Sequence, residues 1–186
     1  MQTIFTAIRF ALLMMILGGL VYPLAITALG QVLFPTEANG SLLKRQDGTV
    51  MGSTLIGQNF TRPEYFHPRP SVNSYDAANS GGSNLGATSK KLIDRVTQDT
   101  ATYQKTNQWE KPIPIDAVTT SASNIDPHIS LANALAQAPR VAATRQTDVK
   151  TIERLVRNLV ENTLVESPYV NVLQLNLALD RQAQRR

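Results

Sequence analysis

No charged side chain stands between Arg9 and Glu37, and within that gap Phe10 to Gly30 reads FALLMMILGGLVYPLAITALG, 21 residues. A helix that crosses the hydrocarbon core of a bilayer needs about 20 such residues. A cleaved secretory signal has a shorter apolar region, about 7 to 15 residues, followed by a small-residue site. The nearest triplets, Ala25-Ile26-Thr27 and Ala28-Leu29-Gly30, fit such a site poorly. The expectation is an uncleaved transmembrane helix at 10–30, preceded by a short tail at 1–9 and followed by a linker at 31–48 and a soluble domain at 49–186. Gly18 and Gly19 would let another helix approach closely, which makes them partner-contact candidates. Pro23 would kink the span, its lost backbone bond re-satisfied by neighbours. Arg9 lies on one side of the span, and Lys44 and Arg45, offset by Glu37 and Asp47, on the other. Orientation is therefore not written in the charge.

Composition narrows the rest. Of 186 residues, 42% are hydrophobic and 17% charged, the reverse of the balance in a disordered chain. The absence of cysteine excludes disulfide frameworks, thiol nucleophiles and cysteine-held metals. Net charge is +4, with the basic residues scattered rather than gathered into the face that phosphate neutralisation needs, so nucleic acid is not an expected partner.

Beyond the span, Thr36 to Asp47 is polar and turn-rich, as a link would be. Val50 to Phe60 predicts one or two short strands. Thr61 to Ser71, TRPEYFHPRPS, forbids regular helix and runs into the Gly-, Ser- and Asn-rich stretch Ser71 to Ser89. A structureless stretch of this length is either functional or disordered. Its aromatics Tyr65, Phe66 and Tyr75 predict an ordered loop. Thr88 is read as the cap of a helix over 89–107, and Asp126-Pro127 as the start of another that Pro139 ends. The stretch 147–162 predicts an amphipathic helix, with Val149, Ile152, Val156, Leu159 and Val160 on one face. The alternation of Leu173, Leu175, Leu177 and Leu179 predicts a half-buried strand. The fold class is α+β.

Chemistry is hard to assemble from these residues. Ser80, Gly81, Gly82, Ser83, Asn84 and Gly86 form a glycine loop, the kind that cradles phosphates with backbone N–H groups. Ala87 follows Gly86 where a P-loop needs Lys, however, and the spacing matches neither a nucleophile elbow nor a dinucleotide fingerprint. His67 and His128 each adjoin a proline and lack helical spacing to a second ligand. No catalytic or metal-binding residue emerges. Arg62, Tyr65, Phe66, Arg69 and Tyr75 are of types enriched at interfaces and stand as partner-contact candidates, beside the alternative that they pack internally.

At these residues the chain resembles the C subunit of the bacterial Kdp-type potassium-transporting ATPase. The likeness is carried by GSTLIGQNFTRPEYFHPRPS at 52–71, YDAANSGGSNLG at 75–86, IDPHIS at 125–130 and VNVLQLNLALD at 170–180. It departs where Asn124-Ile125 replace the family's more usual Gly-Leu, and where Leu131-Ala132-Asn133-Ala134 replace Pro-Glu-Ala-Ala. The resemblance implies a non-catalytic, single-pass subunit of an inner-membrane pump that imports potassium with ATP, its domain outside the cytoplasm. Its partners would be a channel-like subunit and a P-type ATPase subunit. A second role implied by the family is that of a catalytic chaperone raising ATP affinity, with ATP met through the complex. The alternatives from other classes are a nucleotide-binding regulatory subunit using the glycine loop, and a membrane-tethered hydrolase for which no residue stands out.

Overall fold

The computed structural model describes residues 1–45, 48–161 and 167–184. The chain forms two compact units, Met1–Ser53 and Thr54–Arg186.

The first unit is dominated by helix. α1 (Gln2–Ile16) passes through a π-helical turn, Leu17–Val21, into α2 (Tyr22–Leu33). The turn has a local cause. Pro23 has no N–H to offer the preceding turn, and the adjacent Tyr22 N–H bonds Leu17 O, five residues back. The apolar helix spans 32 residues, Gln2–Leu33, so helix continues through residues 2–9. A single turn, α3 (Pro35–Ala38), comes next. The polar stretch read as a link then holds a strand, β1 (Leu42–Lys44), paired antiparallel with β2 (Val50–Ser53). Asp47 lies outside the described residues.

In the second unit α4 (Lys90–Asn107) carries its thin half-buried stripe, Leu92, Val96, Asp99 and Tyr103, to a buried Asn107. Its N-cap is Ser89 rather than Thr88. β3 (His128–Ser130) leads into α5 (Leu131–Thr144), and α6 (Val149–Asn158) is followed by β4 (Val160–Glu161). β5 (Tyr169–Asn171) leads into α7 (Val172–Gln184), and the sheet order is β3-β5-β4, antiparallel throughout. The core gathers Phe66, Ile129, Val141, Ile152, Val156, Val170, Leu175 and Leu179, with Ala134, Ala138 and Ala142 on α5.

Three expectations are corrected. The leucine alternation at 173–179 is helix, not strand. Val172, Leu175, Asn176 and Leu179 share one buried face, and leucine favours helix over the β-branched residues that suit strands. Asn171 then caps the helix, its Oδ1 accepting the Gln174 N–H at 3.1 Å.

Asp126-Pro127 opens a strand, not a helix. The Asp126 carboxylate is turned onto the His128 N–H at 3.0 Å, while Ser130 is the true cap, its Oγ accepting from Asn133 N at 3.0 Å. Pro139 sits inside α5 on its exposed side, and the helix continues to Thr144. Finally, the amphipathic helix closes at Asn158 and Val160 belongs to β4. Asn162 lies outside the described residues.

Candidate functional site

The proline loop is the most unusual backbone in the molecule, and it is ordered. Pro63, Pro68 and Pro70 keep it out of helix and leave its N–H and C=O groups without a ladder, so buried stretches need side-chain partners. Two helices supply them. Asn176 of α7 accepts the Phe66 N–H at 2.9 Å and donates to Phe66 O at 3.0 Å. Gln137 of α5 does the same for the next residue, accepting from His67 N at 2.8 Å and donating to His67 O at 3.0 Å. Each amide thus offers a donor and an acceptor side by side, as a neighbouring strand would. Arg140 tightens the same stretch, donating to Pro63 O, to Tyr65 O at 2.9 Å and to Asn107 Oδ1 at 2.8 Å. These acceptors are neutral, and burial lowers the Arg140 pKa to about 10.

A third amide fastens the glycine loop. Asn124, nearly fully buried at a positive φ of 59°, accepts from Val72 N at 3.0 Å and donates to Gly81 O. Gly81 N–H bonds Ser123 O at 3.1 Å, as does Ser80 Oγ. A Cβ on Gly82 would lie 3.1 Å from Ala122 O, so this glycine permits a close backbone approach. Ser83 is half-buried, and Asn84 and Gly86 are exposed, Asn84 with a positive φ of 53°.

The aromatic and basic candidates are engaged within the second unit. Phe66 is fully buried in the core. Tyr65 lies between Arg62 and Arg145, whose guanidinium carbons are 4.8 and 5.0 Å from the ring centre, and donates its hydroxyl to Asp180 at 2.9 Å. Burial first, then that hydrogen bond and the charge of Asp180, raise its pKa. Arg145 also pairs with Asp180 at 2.9 Å, so the loop is clasped to α7. Arg69 pairs with Asp126 at 2.9 Å and donates to Thr119 O and Thr120 O. Tyr75 donates to Arg69 O, and its burial pushes its pKa to about 12. Arg62 remains two-thirds exposed beside Glu64. Gly18 and Gly19 lie in the π-helical turn of the first unit, with nothing within 4 Å of an added Cβ.

Around Asp126, burial would raise the carboxyl's pKa, but hydrogen bonds from the His128 side chain and backbone, together with Arg69, hold it below its usual value. His128 stacks edge-on against Tyr169 at 4.7 Å. His67 faces a cleft lined by Pro68, Pro70, Asp99, Tyr103 and Gln137, and burial, then the charge of Arg140, lowers its pKa. The two histidines occupy separate surroundings. Sequence reading passes over Asn124, Gln137, Arg140 and Asn176. The signal that could find Gln137, Arg140 and Asn176 is a polar residue recurring on an otherwise apolar helical face, at 133, 137 and 140 in α5 and 176 in α7, whereas Asn124 lies outside any helix and offers no such pattern.

A family model described as KdpC, the c chain of the K+-transporting ATPase, matches residues 4–181. The chain is similar to the potassium-transporting ATPase KdpC subunit of Mycobacterium tuberculosis (strain ATCC 25618 / H37Rv). The two are 47% identical over 94% of this chain and 96% of the relative. It is likewise similar to proteins of the same description from Myxococcus xanthus and Rhodopseudomonas palustris (strain TIE-1). The first is 49% identical over 97% of this chain and 89% of the relative. The second is 50% identical over 90% of each.

Proposed function

The chain belongs to the KdpC family, the c chain of K+-transporting ATPases, and on that premise we propose that it is a non-catalytic subunit of an ATP-driven potassium import pump. It holds a channel-like subunit and a P-type ATPase subunit together. The helix Gln2–Leu33 anchors it in the inner membrane against partner helices, and the second unit lies outside the cytoplasm. The outer face of the loop at 61–86 is the docking surface.

One observation carries the docking assignment. An irregular loop is held rigid by three buried amides, so a fixed surface meets the partner and little ordering entropy is lost on contact. The aromatic core of the loop acts as its internal support, and contact falls to exposed groups such as Arg62, Val72 and Ala78. The glycine loop favours docking over nucleotide binding as well. The Gly81 N–H is committed to Ser123 O, and Gly82 abuts Ala122, where a phosphate cradle would turn its N–H groups outward.

Co-purification from membrane extract tests the assembly role. Val72→Glu combined with Ala78→Arg should leave the chain folded and membrane-bound yet lose both larger subunits from the purified complex. Unchanged recovery of both would count against the loop as the docking face. The side is tested separately. The chain has no cysteine, so Gln98→Cys gives a unique thiol on exposed α4, and it should react with a membrane-impermeant reagent added to the outside of spheroplasts.

A further inference from the structure

The π-helical turn leaves one backbone acceptor of the apolar helix unserved. In an α-helix Gly18 O would accept from the Tyr22 N–H, four residues on, but that N–H is given to Leu17 O. In the wider register of a π-turn the donor to Gly18 O would be residue 23, which is proline and has no N–H. The Gly18 carbonyl is thus without a donor in either helical register. No neighbouring side chain makes up the loss, because residues 10–21, FALLMMILGGLV, contain no side-chain hydrogen-bond donor.

The depth of this carbonyl decides what can serve it. On the reading that the helix spans the membrane, on which this inference rests, Gly18 lies eight residues in from Phe10. That is about 12 Å below the nearer edge of a hydrocarbon core about 30 Å thick. An unpaired backbone carbonyl is costly in hydrocarbon, so it calls for a donor held within the protein. Acyl chains have none to give. A second copy of this chain, inserted the same way, brings the same donor-free residues to that depth. The carbonyl is also open to approach. A Cβ added at Gly18 or Gly19 meets nothing within 4 Å, and the apolar window of the helix is not buried by the rest of the chain. Small residues at such a point let two helix backbones come close.

We propose that the Gly18 carbonyl is the polar contact between this helix and a larger subunit of the pump, accepting a hydrogen bond from a hydroxyl or amide side chain on a transmembrane helix of that subunit. The occupant is a different chain because neither lipid nor a second copy carries a donor at this depth.

The test uses the full-length chain in the complex. Gly18→Leu covers the carbonyl and should leave the chain membrane-inserted while recovery of the larger subunits falls about fivefold, as loss of one interhelical hydrogen bond predicts. Gly30→Leu, equally open to an added Cβ, should leave recovery unchanged, which controls for bulk in the helix. A photo-reactive benzoylphenylalanine in place of Tyr22, one turn from the carbonyl and 65% exposed, should cross-link to a helix of a larger subunit. The cross-linked peptide should carry a Ser, Thr, Asn or Gln within one turn of the attachment point. Replacing that partner side chain by an apolar one should lower recovery with the unsubstituted chain. It should have no effect with Pro23→Ala, whose restored N–H serves the carbonyl from within the helix. Cross-links only to lipid or to a second copy overturn the proposal, as does a cross-linked helix without a donor or an equal loss in the Pro23→Ala chain. If the unsubstituted chain recovers no larger subunit, the assembly reading falls and this inference with it. If the unsubstituted chain and Gly18→Leu recover them equally, this inference alone falls.

Discussion

Asn176 and Gln137 each make two hydrogen bonds to a single loop residue, which concentrates the cost of losing either. Truncation leaves a buried backbone N–H and C=O unpaired, and an unsatisfied buried group costs about 1–3 kcal/mol. Asn176→Ala and Gln137→Ala should each lower the unfolding free energy in urea by about 1–3 kcal/mol, whereas Gln98→Ala, exposed on α4, should cost far less. Gly57 is tightly enclosed. A Cβ there would come within 2.6 Å of Asp126 O and 3.1 Å of Ile125 O, while its N–H already bonds Ile125 O at 2.7 Å. Backbone on both sides would have to move, so Gly57→Ala should destabilise by about 1–3 kcal/mol, read from the same urea midpoints.

At the scale of elements, the proline loop, α4 and α5 meet around His67. Its pKa is lowered from 6.5 by burial and by Arg140. The unfolded chain therefore binds the proton more readily than the folded one. Stability is fully present above the unfolded value of 6.5 and is lost as pH falls from there toward the lower folded value. Thermal unfolding of residues 54–186 followed between neutral and mildly acidic pH should show that decline. His67→Gln should flatten it, and an unchanged slope in the variant would place the titration elsewhere. Asp126, also lowered, acts further toward acid: its contribution is present above the unfolded value of 3.8 and is lost below it.

The second unit holds its own core, from Phe66 and Ile129 through Val156 to Leu179. Residues 54–186 expressed without the first unit should unfold cooperatively on heating, with their lone Trp109 reporting the transition by fluorescence. A gradual, non-cooperative melt would show that the domain needs its membrane segment to fold. In the full complex, removal of residues 1–33 should release the chain from the membrane and reduce recovery of both partner subunits, since docking is then left to the domain surface alone.

The long apolar helix at the start of the chain and the helices α4 and α6 were legible in the residues themselves because their information is local. A long uncharged apolar run satisfies the bilayer whatever surrounds it, and a 3.6-residue stripe declares its buried face within a few turns. Leucines at 173–179 were not legible in this way, because two of the period-2 positions, Leu175 and Leu179, are also four apart and so belong to a helical face that Val172 and Asn176 complete. The decision fell to the Asn171 cap and to packing in the core. The outcome at Ser130 was settled similarly, once Asp116 gripped both its N–H and its hydroxyl at 2.8 Å. The resting place of the proline loop was set wholly by tertiary structure. No residue between 61 and 86 specifies that Asn176, Gln137 and Asn124, at least 38 positions away along the chain, will supply the hydrogen bonds its prolines deny it. A backbone without a regular ladder is ordered only by partners brought to it through the fold.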